Sequence, residues 1–228
     1  MSRTAASKLP GVVYQRLRIR FGHAAWWPGQ TAFEVCVGAI LVQNTAWPNV
    51  EKALASLRSA RRLSYRGLRD LEPAQIAPLI RSAGSFNVKA RRLAAFVAFL
   101  GSEYGGRVAA MSADDAGTLR LKLLAVHGIG PETADSIILY AAGLPRFVVD
   151  AYTRRVFSRL GLLAGDEPYD QVQRFFTDRL PRDVDLWADF HAQIVKLAKD
   201  ICRPRPRCDQ CPLLDLCDFA QRPLACKT

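Results

Sequence analysis

Apolar residues recur at helical spacing along almost the whole chain. Phe33, Val37, Ile40 and Leu41 form one such face, and Val50, Ala53, Leu54 and Leu57 form the next after Pro48, a residue suited to a first helical turn. The period continues through Ile76, Leu79 and Ile80, through Leu93, Phe96, Val97 and Leu100, and through Leu119, Leu123 and Leu124, with Gly, Pro or Ser between the segments. Val156, Phe157 and Leu160, then Val172, Phe175, Phe176 and Leu180, then Leu186, Phe190, Ile194, Leu197 and Ala198 predict three more helices. "RFVVD" is the best strand candidate, and it is short and lacks a partner or a hairpin turn. The pattern predicts an all-α fold. Breaks at "AAGLPRF" (141–147) and "GLLAGDEP" (161–168) are the candidate lobe boundaries, and neither is long enough for a free linker.

The 228 residues suffice for one or two domains, and half of them are hydrophobic, which excludes intrinsic disorder. No window approaches the roughly 18 unbroken apolar residues of a membrane span, and "GVVYQRLRIR" after the basic start lacks a signal core. A cytoplasmic, non-membrane chain is expected, associated with the nucleoid in a prokaryote, and acting as a monomer. Net charge is +11, from 32 Lys+Arg against 21 Asp+Glu, and most of the basic residues are Arg. Guanidinium suits bidentate phosphate contact, so a polyanion is the first partner to consider; a solubilising surface is the bland alternative.

Cys202, Cys208, Cys211 and Cys217 fall within sixteen residues as Cys-x5-Cys-x2-Cys-x5-Cys. Four thiolates so close can converge on one metal centre without a large core beneath them. In a reducing compartment, disulfides are the weaker reading. Zinc is the rival, although paired CxxC knuckles are its usual signature and only Cys208/Cys211 has that spacing; a [4Fe-4S] cluster is preferred. Arg203, Arg205, Arg207 and Lys199 offset its charge and present a basic surface. Cys36 reads as core packing, and Cys226 in the tail has no ligand role.

Gly128-Ile129-Gly130 joins two apolar helices within residues 121–141, and Pro131 opens the second. Such a turn lets backbone amides approach a phosphate, and it also serves as an ordinary αα-hairpin. Asp150 follows an apolar run and precedes a helix. It is a natural N-cap, and it is also placed to activate water or to steady a developing oxocarbenium ion on a deoxyribose.

In this order, the glycine hairpin, Asp150 and the cysteine tail, together with "AILVQNTAW" (39–47) and "AGSFNVKARRL" (83–93), resemble the helix-hairpin-helix DNA glycosylases of the endonuclease III family. The resemblance spans most of the chain. It implies a two-lobed all-α fold, with a six-helix barrel over 31–145 and a discontinuous cluster lobe of 1–30 and 146–228. It implies damaged double-stranded DNA as partner and base excision repair as activity. Asp150 is then the catalytic carboxylate, Gln43 beside Asn44 fills the gap left by a flipped nucleotide, Gly128 and Gly130 hold backbone, and Ser85, Phe86 and Lys89 form the opposing DNA-binding segment. Phe86 reads equally well as core.

Two departures refine that expectation. Bifunctional members carry Lys where Glu132 stands in "GIGPETA". A carboxylate cannot form the Schiff base that leads to strand cleavage, so monofunctional hydrolysis is expected, with Glu132 shaping the pocket or sitting as a solvated first-turn residue. "QNTAW" with "GPETAD" looks like the 3-methyladenine branch. The first cysteine interval is one residue shorter than the family's commonest, and Tyr152 stands where many relatives have His. A bifunctional enzyme using another lysine is the within-family alternative, and a non-catalytic DNA-structure-binding protein is the alternative from another class. Trp26, Trp27 and Trp47 are read as packing rather than stacking residues.

Overall fold

The computed structural model describes residues 3–24 and 29–222, and no strand occurs among the described residues. The chain divides into two compact units: a terminal unit, Met1–Trp26 with Phe147–Thr228, and a central unit, Trp27–Arg146.

The central unit carries α2 (Ala32–Leu41), α3 (Trp47–Ser59), α4 (Tyr65–Leu68), α5 (Pro73–Ile76), α6 (Phe86–Tyr104), α7 (Ala116–Leu124) and α8 (Pro131–Ser136), the last continuing as a π-helical turn over Ile137–Ala141. Starts follow side-chain chemistry. Thr31 accepts the Glu34 amide at the head of α2, Asp115 accepts the Gly117 and Thr118 amides at the head of α7, and Pro48 and Pro131 fill first-turn positions where no amide is needed. Each such cap contributes about 1 kcal/mol. α2 is buried along nearly its whole length, and Val37, Ile40, Leu54, Ile80, Phe96 and Leu119 close one core around it. Cys36 lies in that core, fully buried, and burial pushes its thiol far above the ordinary range.

The terminal unit is built from α1 (Arg3–Phe21), α9 (Ala151–Arg159), α10 (Tyr169–Thr177) and α11 (Val184–Asp200). Its core is aromatic. Phe147 stacks on Phe176 at 4.2 Å between centroids, and Phe157 and Phe190 meet that pair edge-on. Fully burying each of these rings is worth roughly 2–3 kcal/mol. A buried carboxylate ties α1 to α11: Asp189 accepts from the Tyr14 hydroxyl at 2.8 Å, the Ala24 amide at 2.8 Å, the Arg18 guanidinium at 3.1 Å and the Gln193 amide at 3.1 Å.

Candidate functional site

In the central unit, the turn after α2 and the glycine hairpin are joined through one side chain. Gln43 donates from Nε2 to the Gly128 carbonyl at 3.1 Å and to the Thr133 hydroxyl at 2.9 Å, and its Oε1 accepts from the Arg92 guanidinium. Gly128 has φ +81°, and a Cβ there would stand 2.3–2.6 Å from the Arg92 side chain, so both conformation and space require glycine. Gly130 is different. Its φ is −93° and no atom lies within 4 Å of where its Cβ would stand, which leaves the start of α8 open to close approach.

Both neighbouring turns hold a non-glycine residue in the left-handed region: Asn44 with φ 53° and Ser85 with φ 43°. Asn adopts that conformation readily, whereas for Ser it costs on the order of 1 kcal/mol. Both are exposed. Phe86 is half-buried against the central core, with the Arg81 guanidinium over its ring at 5.5 Å.

Lys89 departs from the expected DNA-contacting role. It is 3% exposed, and its ammonium donates to the Leu41 carbonyl at 2.9 Å and the Ala83 carbonyl at 2.7 Å. Burial and the adjacent Arg92 charge hold that ammonium below its ordinary pKa. In this position it braces the turns after α2 and before α6 instead of meeting phosphate. Glu132 is exposed in the first turn of α8, where its carbonyl accepts from the Ser136 hydroxyl at 2.7 Å. It belongs to the central unit, and Asp150 belongs to the terminal one.

Asp150 heads α9. Its Oδ1 accepts from the Thr153 amide at 2.7 Å and the Thr153 hydroxyl at 2.8 Å, and its Oδ2 faces His191 Nε2 of α11 at 3.5 Å. Burial pushes this carboxyl up, but the His191 contact and charge and the two Thr153 hydrogen bonds outweigh it, and the group is held below its ordinary pKa. The carboxylate is thus favoured in its charged form and anchored at the helix head.

Cys202, Cys208, Cys211 and Cys217 line one small concavity, together with Arg159, Ile201, Leu214 and Phe219. Arg159 organises it: its guanidinium reaches Cys202 Sγ at 3.4 Å and the Arg203 and Pro204 carbonyls at 2.7 and 3.0 Å, and its own carbonyl accepts from the Cys217 thiol at 3.3 Å. Burial raises the Cys211 and Cys217 thiol pKa values, and the neighbouring cysteines add to that rise. Cys202, Cys211 and Cys217 are free thiols, and among the described residues no three metal-ligating side chains are yet drawn together as a metal group. All four cysteines nevertheless line the same concavity, and thiolates are the donor type that a four-sulfur metal centre requires.

Residues 37–182 match the HhH-GPD superfamily base excision DNA repair proteins. The chain belongs to that family. It is 42% identical over 206 residues to a candidate DNA repair glycosylase of Methanocaldococcus jannaschii, covering 90% of this chain and 94% of the relative. It is 29% identical over 191 residues to endonuclease III of Thermotoga maritima, covering 83% and 84% of the two chains. Among solved structures, the 3-methyladenine DNA glycosylase of H. pylori bound to 1,N6-ethenoadenine superposes with a TM-score of 0.73 at 27% identity, over 85% of this chain and 97% of that one. As an HhH-GPD protein of the endonuclease III family, the chain is a DNA N-glycosylase with the all-α fold of its relatives.

Within this glycosylase, three contacts of the candidate site had no signal in the sequence. Arg92 sits in "KARRL" with nothing to separate it from its neighbour Arg91, and Thr133 and His191 each read as one more residue on an amphipathic helix. Only the pairing of α6 with the hairpin and of α11 with α9 gives them partners. Trp47 packs on the central core and its indole donates to Glu51 at 3.0 Å. Trp26, Trp27 and Cys226 lie outside the described residues.

Proposed function

We propose that this glycosylase hydrolyses the N-glycosidic bond of an alkylated purine in duplex DNA without cleaving the strand. The observation that carries the reading is Asp150: an ionised carboxylate at a helix head, with Oδ1 anchored on Thr153 and Oδ2 outside the helix cap. A nucleotide inside the stack cannot present its sugar to such a group, so it is rotated out at a cost of a few kcal/mol. Gln43 fills the vacated space, and the Gly128–Gly130 turn grips the flanking backbone. As the base leaves, Asp150 stabilises the oxocarbenium-like sugar and orients the water that attacks it.

Two further observations support the finer assignment. Glu132 occupies the position of the amine nucleophile, and Lys89 has its ammonium committed to two carbonyls, so neither offers an amine to the sugar. The alkylpurine preference follows the likeness to the 3-methyladenine enzyme and the resemblance of "QNTAW" and "GPETAD" to that branch of the family.

Under reducing conditions Cys202, Cys208, Cys211 and Cys217 would hold a [4Fe-4S] cluster, with Arg159 offsetting its charge. Bound there, the cluster supplies a cross-link that fixes the 202–217 loop. Reduced protein is expected to be brown, with absorbance near ~400 nm; colourless protein containing zinc overturns the assignment.

The test is a duplex panel carrying alkylated purines or oxidised pyrimidines, assayed separately for free base and for strand nicking. Wild type should release alkylpurine without nicking and without a borohydride-trapped adduct. Asp150→Asn should lower release by at least ~10²-fold. Trapped adduct points instead to the lyase chemistry of a bifunctional enzyme, and lesion binding without release points to a DNA-structure-binding protein.

A further inference from the structure

The two oxygens of Asp150 are held differently. Oδ1 is saturated by the amide and hydroxyl of Thr153, both on its own helix. Oδ2 lies outside that cap, and the group facing it comes from another helix: His191 Nε2, at 3.5 Å. His191 is 5% exposed and lies on α11 between Phe190 and Ala192, both fully buried. An imidazole in such surroundings costs free energy that an aliphatic side chain of similar size would not, unless the polar edge is used. Asp150 itself keeps 13% of its side chain exposed, so the carboxylate borders solvent while the ring behind it does not.

We propose that His191 is a positioning residue for this glycosylase: from α11 it fixes the rotation of the Asp150 carboxylate, and so the direction of Oδ2. The proposal rests on Asp150 being the reacting carboxylate. A carboxylate held at one oxygen alone can swing about its Cβ–Cγ bond, and one held at both oxygens cannot. The direction of Oδ2 decides how close negative charge stands to the anomeric carbon, and misplacement by about 1 Å costs on the order of 10²-fold in rate. The ring also holds the carboxylate in its charged form, in keeping with the lowered Asp150 pKa. Thr153 anchors the group and His191 aims it. This division would leave DNA affinity untouched, because neither residue is needed for the grip of the hairpin.

The experiment compares wild type, Asp150→Asn, His191→Leu and His191→Gln on alkylated duplex DNA, reading the single-turnover rate of base release separately from the Kd for the duplex. His191→Leu is expected to slow release by ~10- to 100-fold with Kd unchanged. His191→Gln, whose amide places an N–H near the position of Nε2, is expected to recover most of the rate. The inference is overturned if His191→Leu releases base like wild type while Asp150→Asn is inactive, if the loss lies wholly in Kd, or if the Gln variant is no better than Leu. Crystal structures of the variants add a readout independent of activity. Oδ2 should turn away from its wild-type direction in His191→Leu while Oδ1 stays on Thr153, and an unmoved carboxylate also overturns the inference. If wild type releases no base from any lesion, the reading of Asp150 fails, and the crystallographic comparison still decides the role of His191.

Discussion

The polar site of the central unit and that of the terminal unit are built on opposite plans. Around Gln43, amide, guanidinium, hydroxyl and carbonyl groups satisfy one another, and Lys89 donates to carbonyls beside them. Around Asp150 and Asp189, the terminal unit gathers donors on buried or half-buried carboxylates whose pKa values all lie below the ordinary value. The first plan is held by neutral and cationic groups donating to carbonyl and amide oxygens. The second makes negative charge that persists at low exposure, at the expense of acid stability. On the proposed function the first serves recognition and the second stabilises charge, so the two sites place different demands on the fold.

The largest test of this contrast concerns the cysteine loop, which belongs to the terminal unit alone. Cys217→Ser should lose iron and lower the stability of that unit by several kcal/mol, because metal affinity is folding free energy where the site is made by the loop it closes. Calorimetry should then resolve two transitions, with the central one unchanged. A single transition of unchanged midpoint would break the contrast.

A smaller effect is expected at Asp189. Burial pushes its carboxyl up, but the Ala24 amide, Tyr14 and Gln193 outweigh it, and its folded pKa lies below the ordinary value. Its stabilising contribution is therefore fully present above about pH 4 and is lost as pH falls through the lower folded value. Asp189→Asn should cost roughly 1–3 kcal/mol at pH 7 and should flatten the acid side of the stability curve. Denaturant melts between pH 3 and 7 measure both, and an unchanged acid slope would count against the charge-based plan.

The smallest concerns the hairpin. Gly128→Ala places a Cβ against the Arg92 side chain at positive φ, and should cost about 1–2 kcal/mol while displacing Arg92 from Gln43. Affinity for lesion duplex should fall with it, whereas the single-turnover rate at saturating enzyme should hold. Gly130→Ala, with open space at its Cβ, should change stability by less than ~0.5 kcal/mol.

Much of this was legible in the chain itself, for local reasons. Helices announce themselves through periodicity and caps, and Asp115, Asp150 and Asp183 all cap the helices that follow them. The cysteines were legible because their spacing is local, and Gly128 because left-handed backbone needs glycine. What stayed hidden depends on contacts distant in sequence. Lys89 looked like a phosphate ligand because nothing local shows that its ammonium meets the carbonyl of Leu41, 48 positions away. His191 lies 41 positions from Asp150 on a helix whose apolar period already explained its placement.

The buried ammonium of Lys89 has one more consequence. Because a single nitrogen is shared between the carbonyls of Leu41 and Ala83, the left-handed corners at Asn44 and Ser85 are riveted at a set spacing. Neutralising or removing that one nitrogen would therefore loosen two corners at once, although they lie about forty residues apart in the chain.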